Sequence, residues 1–281
     1  MHLLMVLIAV SCAIAIRLSW RGSNADWNTR WQTTLGAFLF SPLLLMTSTI
    51  ALMWMGPRGQ MVRWWEGWGI YAIAIGFLAA AILAMVKLAI DAWRSIHRVH
   101  ELPLFEVQSN PARLLQTPTP FIAQIGLWNP ELVVSQGLLD TLDAEHLEVA
   151  ITHEHAHHYY RDTFWFFWLG WLRRTTNWLP NTEAMWQELI MLRELRADRW
   201  AVQHVDRLLL AEALLTVIRA AQVEAEPWAA AFGQAIENDR LTERIDALLD
   251  ETAPLPQPIV TVWVALSFVL IPLMVVPFHF R

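Results

Sequence analysis

Hydrophobic positions along the chain follow two patterns. Residues Leu3–Leu18, Leu35–Met55, Trp68–Ile90 and Ile259–Phe278 are near-continuous apolar runs, each close to the about 17–25 residues that a membrane-crossing helix needs. Pro42 inside the second run is tolerable where neighbours re-satisfy its backbone. Lys87, near the end of the third, can carry its ammonium to the interface. The first run lacks the basic start of a cleaved leader and passes smoothly into Arg17, so a retained span is expected. Between the third and fourth runs the pattern changes. Residues 91–101 form a basic, amphipathic exit. Short β-prone runs then follow at Phe105–Val107, Phe121–Gly126 and Leu132–Ser135, separated by Asn110-Pro111, Pro118, Pro120 and Asn129-Pro130, which predicts a small hairpin-bearing sheet. From Asp143, a good N-cap, to about Asp162 the spacing of Leu147, Ala150 and Ile151 predicts a helix. Further helices are expected near 182–206, 208–225 and 238–250, with a stiff connector at Pro254–Pro258.

The expected architecture is thus an α-helical membrane protein with about four transmembrane helices and one mainly helical α+β domain. Its divisions are 1–90, with spans at 3–18, 35–55 and 68–90; 91–258, the working domain; and 259–281, the last span with a short tail. Composition supports this. The 281 residues are 56 % hydrophobic and only 16 % charged, against about 25 % charged in a typical soluble domain. That excludes an ordinary soluble enzyme, a disordered tail and a collagen-like fibre. Seventeen Trp and twelve Phe against three Tyr point to apolar packing and interface anchoring. A net charge of −6 leaves no global basic footprint, so direct nucleic-acid binding is not expected. Cys12 is the sole cysteine, which rules out an intrachain disulfide framework and a thiolate metal cage. Basic residues set the orientation. Arg17, Arg21 and Arg30, with Lys87, Arg94, Arg98 and Arg113, outnumber Arg58, Arg63 and Arg281, which places residues 91–258 on the cytoplasmic side of the membrane.

The chemistry concentrates in His153-Glu154-His155-Ala156-His157, a match to H-E-x-x-H. Residues four apart share a helix face, so His153 and His157 can both ligate one zinc ion, and Glu154 lies where it can act as general base. A polar helix face rich in histidine is the bland alternative. The apolar spacing before the motif and the acidic residues downstream weigh against it. Glu183, Glu188 and Glu194 are candidates for a third ligand. Glu194 stands out because Asp198, four residues on, can accept the free ring N–H of a ligand histidine; Asp162 is a second such carboxylate. Without the motif, Glu194 and Asp198 would read as solvated partners of Arg193, Arg196 or Arg199. His155 and His158 lie off the ligand face. His204 and Arg244 are weaker candidates for stabilising an oxyanion, each as well explained by a structural role. The aromatic strip Phe164–Leu172, ended by Arg173-Arg174, is too short to span; it reads equally as an interfacial helix or a core helix.

Gly126-Leu-Trp-Asn-Pro-Glu-Leu-Val-Val-Ser, Leu142-Asp-Ala-Glu-His-Leu, the histidine motif with Arg161-Asp162, and Glu194-Leu-Arg-Ala-Asp198 together resemble the BlaR/MecR family of integral-membrane zinc metallopeptidases. The motifs cover roughly residues 105–205, and the four-run layout extends the likeness along the chain. The resemblance implies a gluzincin-like zincin domain between the third and fourth spans and one Zn2+ per chain. It implies His153, His157 and Glu194 as ligands and Glu154 as the base. The implied substrate is a protein, such as a winged-helix transcriptional repressor or the enzyme itself, cut in a signalling pathway. Antibiotic-sensing members continue past their last span into a penicillin-binding sensor; these 281 residues hold no Ser-x-x-Lys motif, so covalent β-lactam sensing within them is not expected. HtpX-type membrane processing peptidases share the H-E-x-x-H, the downstream Glu and the following Asp. A non-catalytic zinc-binding membrane sensor or scaffold is the reading from another class, and an intact Glu154 argues against it. The segment around 121–135 is expected to offer an edge strand to an extended substrate.

Overall fold

The computed structural model describes residues 2–22, 25–57, 64–223, 240–250 and 260–279. The expected connector at 254–258, and Arg58 and Arg63 of the orientation count, lie outside these. The chain divides into two units, one of residues 1–89, 168–190 and 255–281, the other of residues 90–167 and 191–254.

The first unit contains α1 (His2–Ser19), α2 (Trp27–Met55) and the start of α3 (Trp64–His100). Three stretches, His2–Ser19, Trp27–Met55 and Gly67–Glu101, are long and apolar enough to cross a membrane. Of its apolar window α2 buries 61 % and α3 only 11 %, so α2 is the centre of the unit. It starts eight residues before the apolar run because Asp26 caps it, accepting from the Thr29 N–H at 3.2 Å and its hydroxyl at 2.8 Å. Ala9 and Ala13, small and one turn apart on α1, pack with Leu44 and Leu45 of α2. Pro42 has no N–H for the carbonyl of Phe38, four residues back. The Arg17 guanidinium takes that oxygen at 3.0 Å and lies 4.9 Å from the Phe38 ring.

In the run expected as a fourth span, the structure has α10 (Val260–Ser267), a 3-10 turn (Phe268–Leu270) and α11 (Ile271–His279), which together hold a shorter apolar helical stretch, Val262–Pro277. Pro272 has no N–H for the Phe268 carbonyl, which takes the Ile271 N–H in a tighter turn instead. Thr47 of α2 donates to the carbonyl of Val269 in the turn at 2.6 Å.

In chain order the other helices are α4 (Gln136–Thr141), α5 (Ala144–Tyr159), α6 (Asp162–Thr175), α7 (Thr182–Ala201), α8 (Arg207–Val223) and α9 (240–249). Residues 168–190, expected within the working domain, group with the apolar helices instead. Leu179 packs in the Ala9–Leu45 cluster, Trp171 donates to the carbonyl of Ala81 at 2.8 Å, and Arg30 meets Glu188 at 2.7 Å.

The second unit is built on a four-stranded sheet of order β1-β2-β4-β3, with β1 (Leu104–Val107), β2 (Asn110–Leu115), β3 (Ile122–Ile125) and β4 (Glu131–Ser135). The two hairpins are antiparallel, β2 and β4 run parallel, and β3 forms an edge. Ala112, Leu132 and Val134 on one face bury against Leu147 and Ile151 of α5. Gly126 has φ +145°, and a Cβ there would lie 2.7 Å from the Pro130 Cα, so the β3–β4 turn requires glycine. The helix expected from Asp143 to about Asp162 is α5, capped by Asp143 and ending three residues earlier at Tyr159. The chain breaks at Tyr160-Arg161, where Arg161 takes φ 53°, and Asp162 opens α6.

Candidate metal centre

The Asp143 carboxylate caps α5 through the His146 N–H at 2.9 Å. With Leu147 and Ile151 turned to the sheet, the 3.6-residue period carries His153 and His157 to a neighbouring face and Glu154 between the two. All three are buried. Glu194 of α7 completes the group.

The donor atoms converge closely. His153 Nε2 and His157 Nε2 are 3.2 Å apart, and Glu194 Oε2 lies 3.3 Å from the first and 3.7 Å from the second. A tetrahedral ion with donors at about 2.0–2.1 Å spaces them about 3.3–3.4 Å apart. The three side chains fit one ion, and together they could hold a metal.

Each histidine presents Nε2 because Nδ1 is engaged by an aspartate. His157 Nδ1 meets Asp162 at 2.7 Å. His153 Nδ1 lies 2.9 Å from Asp198, in ion-pair range though out of line for a well-formed hydrogen bond. Each aspartate is backed by an arginine. Asp198 receives Arg244 Nε and Nη2, both at 2.7 Å, and Asp162 pairs with Arg196. Arg193 holds the other oxygen of Glu194 at 2.6 Å, leaving Oε2 to the histidines, and stacks over Phe166 at 4.8 Å.

These contacts set the charges. Burial opposes protonation of His153, yet Asp198 and Glu194 outweigh it and raise its pKa to about 9. His157 is raised likewise, against its burial, by Asp162 and Glu194. Burial works against ionised Glu194, but both histidines hold its carboxyl well below the usual range. Glu154 goes the other way: burial raises it, against the nearby histidines. Its Oε2 accepts the Gln124 N–H at 3.1 Å, so the free edge of β3 holds the carboxylate. A buried carboxyl with a raised pKa beside the ligand face can take up and release a proton.

Of the sequence-predicted residues, His153, Glu154, His157, Glu194, Asp198 and Asp162 come together, and Arg244 reaches them, 3.6 Å from Glu194 Oε2. Its guanidinium is committed to Asp198, which favours its structural role. His204 is exposed, with Nδ1 3.0 Å from the Trp200 carbonyl and its ring on Trp200, away from the cluster. Glu183 and Glu188 pair with Arg173 and Arg30. His155 and His158 line a separate cavity of about 410 Å³ with Asn110, Arg113 and Glu131. Sequence reasoning treated Arg193 and Arg196 as rivals to the metal reading; they instead brace it. The Gln124 N–H left no sequence signal, because a backbone donor is invisible to residue type. No protein-family model, curated protein or solved structure matches this chain.

Proposed function

We propose that the chain is a membrane-embedded zinc-dependent endopeptidase, with residues 91–258 in the cytoplasm. The observation that carries the reading is the convergence of His153, His157 and Glu194 at tetrahedral spacing around a buried, unligated Glu154. Two imidazoles and a carboxylate suit zinc, and three protein ligands match the pattern of catalytic rather than structural sites. When bound, zinc supplies Lewis acidity, polarising a scissile carbonyl and making an attacking water more acidic. Glu154 then accepts the water's proton and returns it to the leaving amine. The outward backbone groups of β3 hold the substrate extended beside Glu154. Asp162 and Asp198 fix the ring orientation of the two ligands. The BlaR/MecR likeness points to a winged-helix repressor or the protein itself as substrate.

Glu154→Gln separates enzyme from zinc-binding scaffold. The variant should keep about one zinc per chain and lose cleavage, read by mass spectrometry as new termini in the protein or a supplied repressor. Unchanged cleavage would overturn the proposal.

A further inference from the structure

In the second unit, two exposed tryptophans meet across one half-buried ring. Trp128 is 73 % exposed in the β3–β4 turn, and its ring meets Phe164 of α6 at 5.0 Å. Phe164 meets Trp165, itself 55 % exposed, at 5.2 Å. The turn that carries Trp128 is the tight one fixed by Gly126 and Pro130, so the indole is held outward by a constrained backbone. Along α6, Asp162, Leu169 and Leu172 are buried, while Trp165 and Trp168 are exposed and Arg173-Arg174 close the helix. The helix is amphipathic, with Trp165 and Trp168 outward.

We propose that Trp128, Phe164 and Trp165 form a lipid-facing patch that sets the candidate metal centre at the headgroup layer of the bilayer. Two arguments choose lipid as the occupant. This unit includes residues 90–100 of α3, the end of a helix long and apolar enough to cross a membrane. Tryptophan, amphipathic and bulky, concentrates at the membrane–water interface. The patch adjoins the site through two elements: Gln124, which holds Glu154, lies two residues before Gly126, and Asp162, which meets His157, opens α6. Where the endopeptidase reading holds, and only then, the substrates are polypeptide segments lying at the membrane surface.

The test uses the full chain in vesicles of phosphatidylcholine and phosphatidylglycerol. Cys12→Ser removes the sole cysteine. Trp128→Cys and Trp165→Cys, made separately, then carry an environment-sensitive fluorophore, with exposed Ser109→Cys in the β1–β2 turn as control. Lipids brominated near the headgroup should quench both patch sites roughly twofold or more above the control, and aqueous iodide should quench them less. Quenching equal to that at position 109 overturns the proposal. A second arm compares a lipid-tethered peptide with the same peptide free in solution, and a Trp128→Ser/Trp165→Ser double variant should lower the tethered-to-free cleavage ratio. An unchanged ratio counts against the patch. If the wild type cuts neither peptide while lipid quenching persists, the patch stands and the endopeptidase reading fails.

Discussion

Asp162→Asn isolates what the carboxylate behind His157 contributes. Asp162 is 2 % exposed, meets His157 Nδ1 at 2.7 Å and pairs with Arg196. Asparagine keeps the shape and an acceptor oxygen but removes the charge, so two effects separate. Removing the negative charge behind a ligand histidine lowers its basicity and weakens metal binding by about 10–100-fold, or about 1.4–2.7 kcal/mol. Removing one partner of a buried ion pair costs about 3–5 kcal/mol of stability. The lower end applies here, because the Arg196 side chain keeps 14 % exposure and lies over the Tyr160 ring at 4.2 Å. Asp162→Asn/Arg196→Met removes both charges and should recover most of the melting temperature but none of the zinc affinity. Chelator competition at fixed pH measures the affinity, and thermal melts of metal-free protein measure the stability. If Asp162→Asn binds zinc within about twofold of wild type while its melting temperature falls, Asp162 braces the fold only and the orienting role is wrong.

Zinc affinity should rise with pH. The His153 pKa is raised from 6.5 to about 9, so the stability it gives metal-free protein is complete below pH 6.5 and lost as pH climbs through about 9. Zinc must displace that proton, so apparent affinity should gain about tenfold per pH unit over this window and then level off; a flat profile would refute the assignment. Glu194→Ala should lose most of the bound zinc by elemental analysis, whereas Glu183→Ala and Glu188→Ala, at residues salt-bridged to Arg173 and Arg30, should retain it. Gln124→Pro removes the N–H that holds Glu154 without breaking the ladder to β4, because that N–H faces the free edge. Zinc content should stay and cleavage fall by roughly 10–100-fold, matching about 1.5–3 kcal/mol for a hydrogen bond to a charged group; undiminished turnover would remove β3 from the site.

Much of the site was legible because its signals are local. Asp143 announces the start of α5, the i, i+4 histidines follow from helical spacing, and Glu194 with Asp198 repeats that spacing on α7. The break at Tyr160-Arg161 was not legible. Neither residue is glycine or proline, and only the tertiary setting places Arg161 at positive φ. Partner choice was only partly visible: Glu194 takes its neighbour Arg193 as the sequence suggests. Three arginines near Glu194 and Asp198 in sequence were plausible partners, yet Asp198 takes Arg244, 46 residues away, and Arg196 goes to Asp162. The apolar runs located the long helices but not their ends, since α2 and α3 continue on amphipathic turns that a hydropathy window cuts off. The prolines of the last run were visible, but not that Pro272 would tighten a turn while Pro277 stays within a helix.

The contact between Arg17 and the Phe38 carbonyl bears on how this sequence can drift. A guanidinium fully buried in an apolar unit is a burden unless something demands it, and the demand comes from Pro42, which strips that carbonyl of its helical partner. Pro42→Ala would return the partner and release position 17, so an uncharged residue there becomes acceptable. Losing the arginine first would strand a buried acceptor. The order of substitution therefore matters: descendants of this chain should discard the proline before the arginine, and the two positions should change together across its lineage.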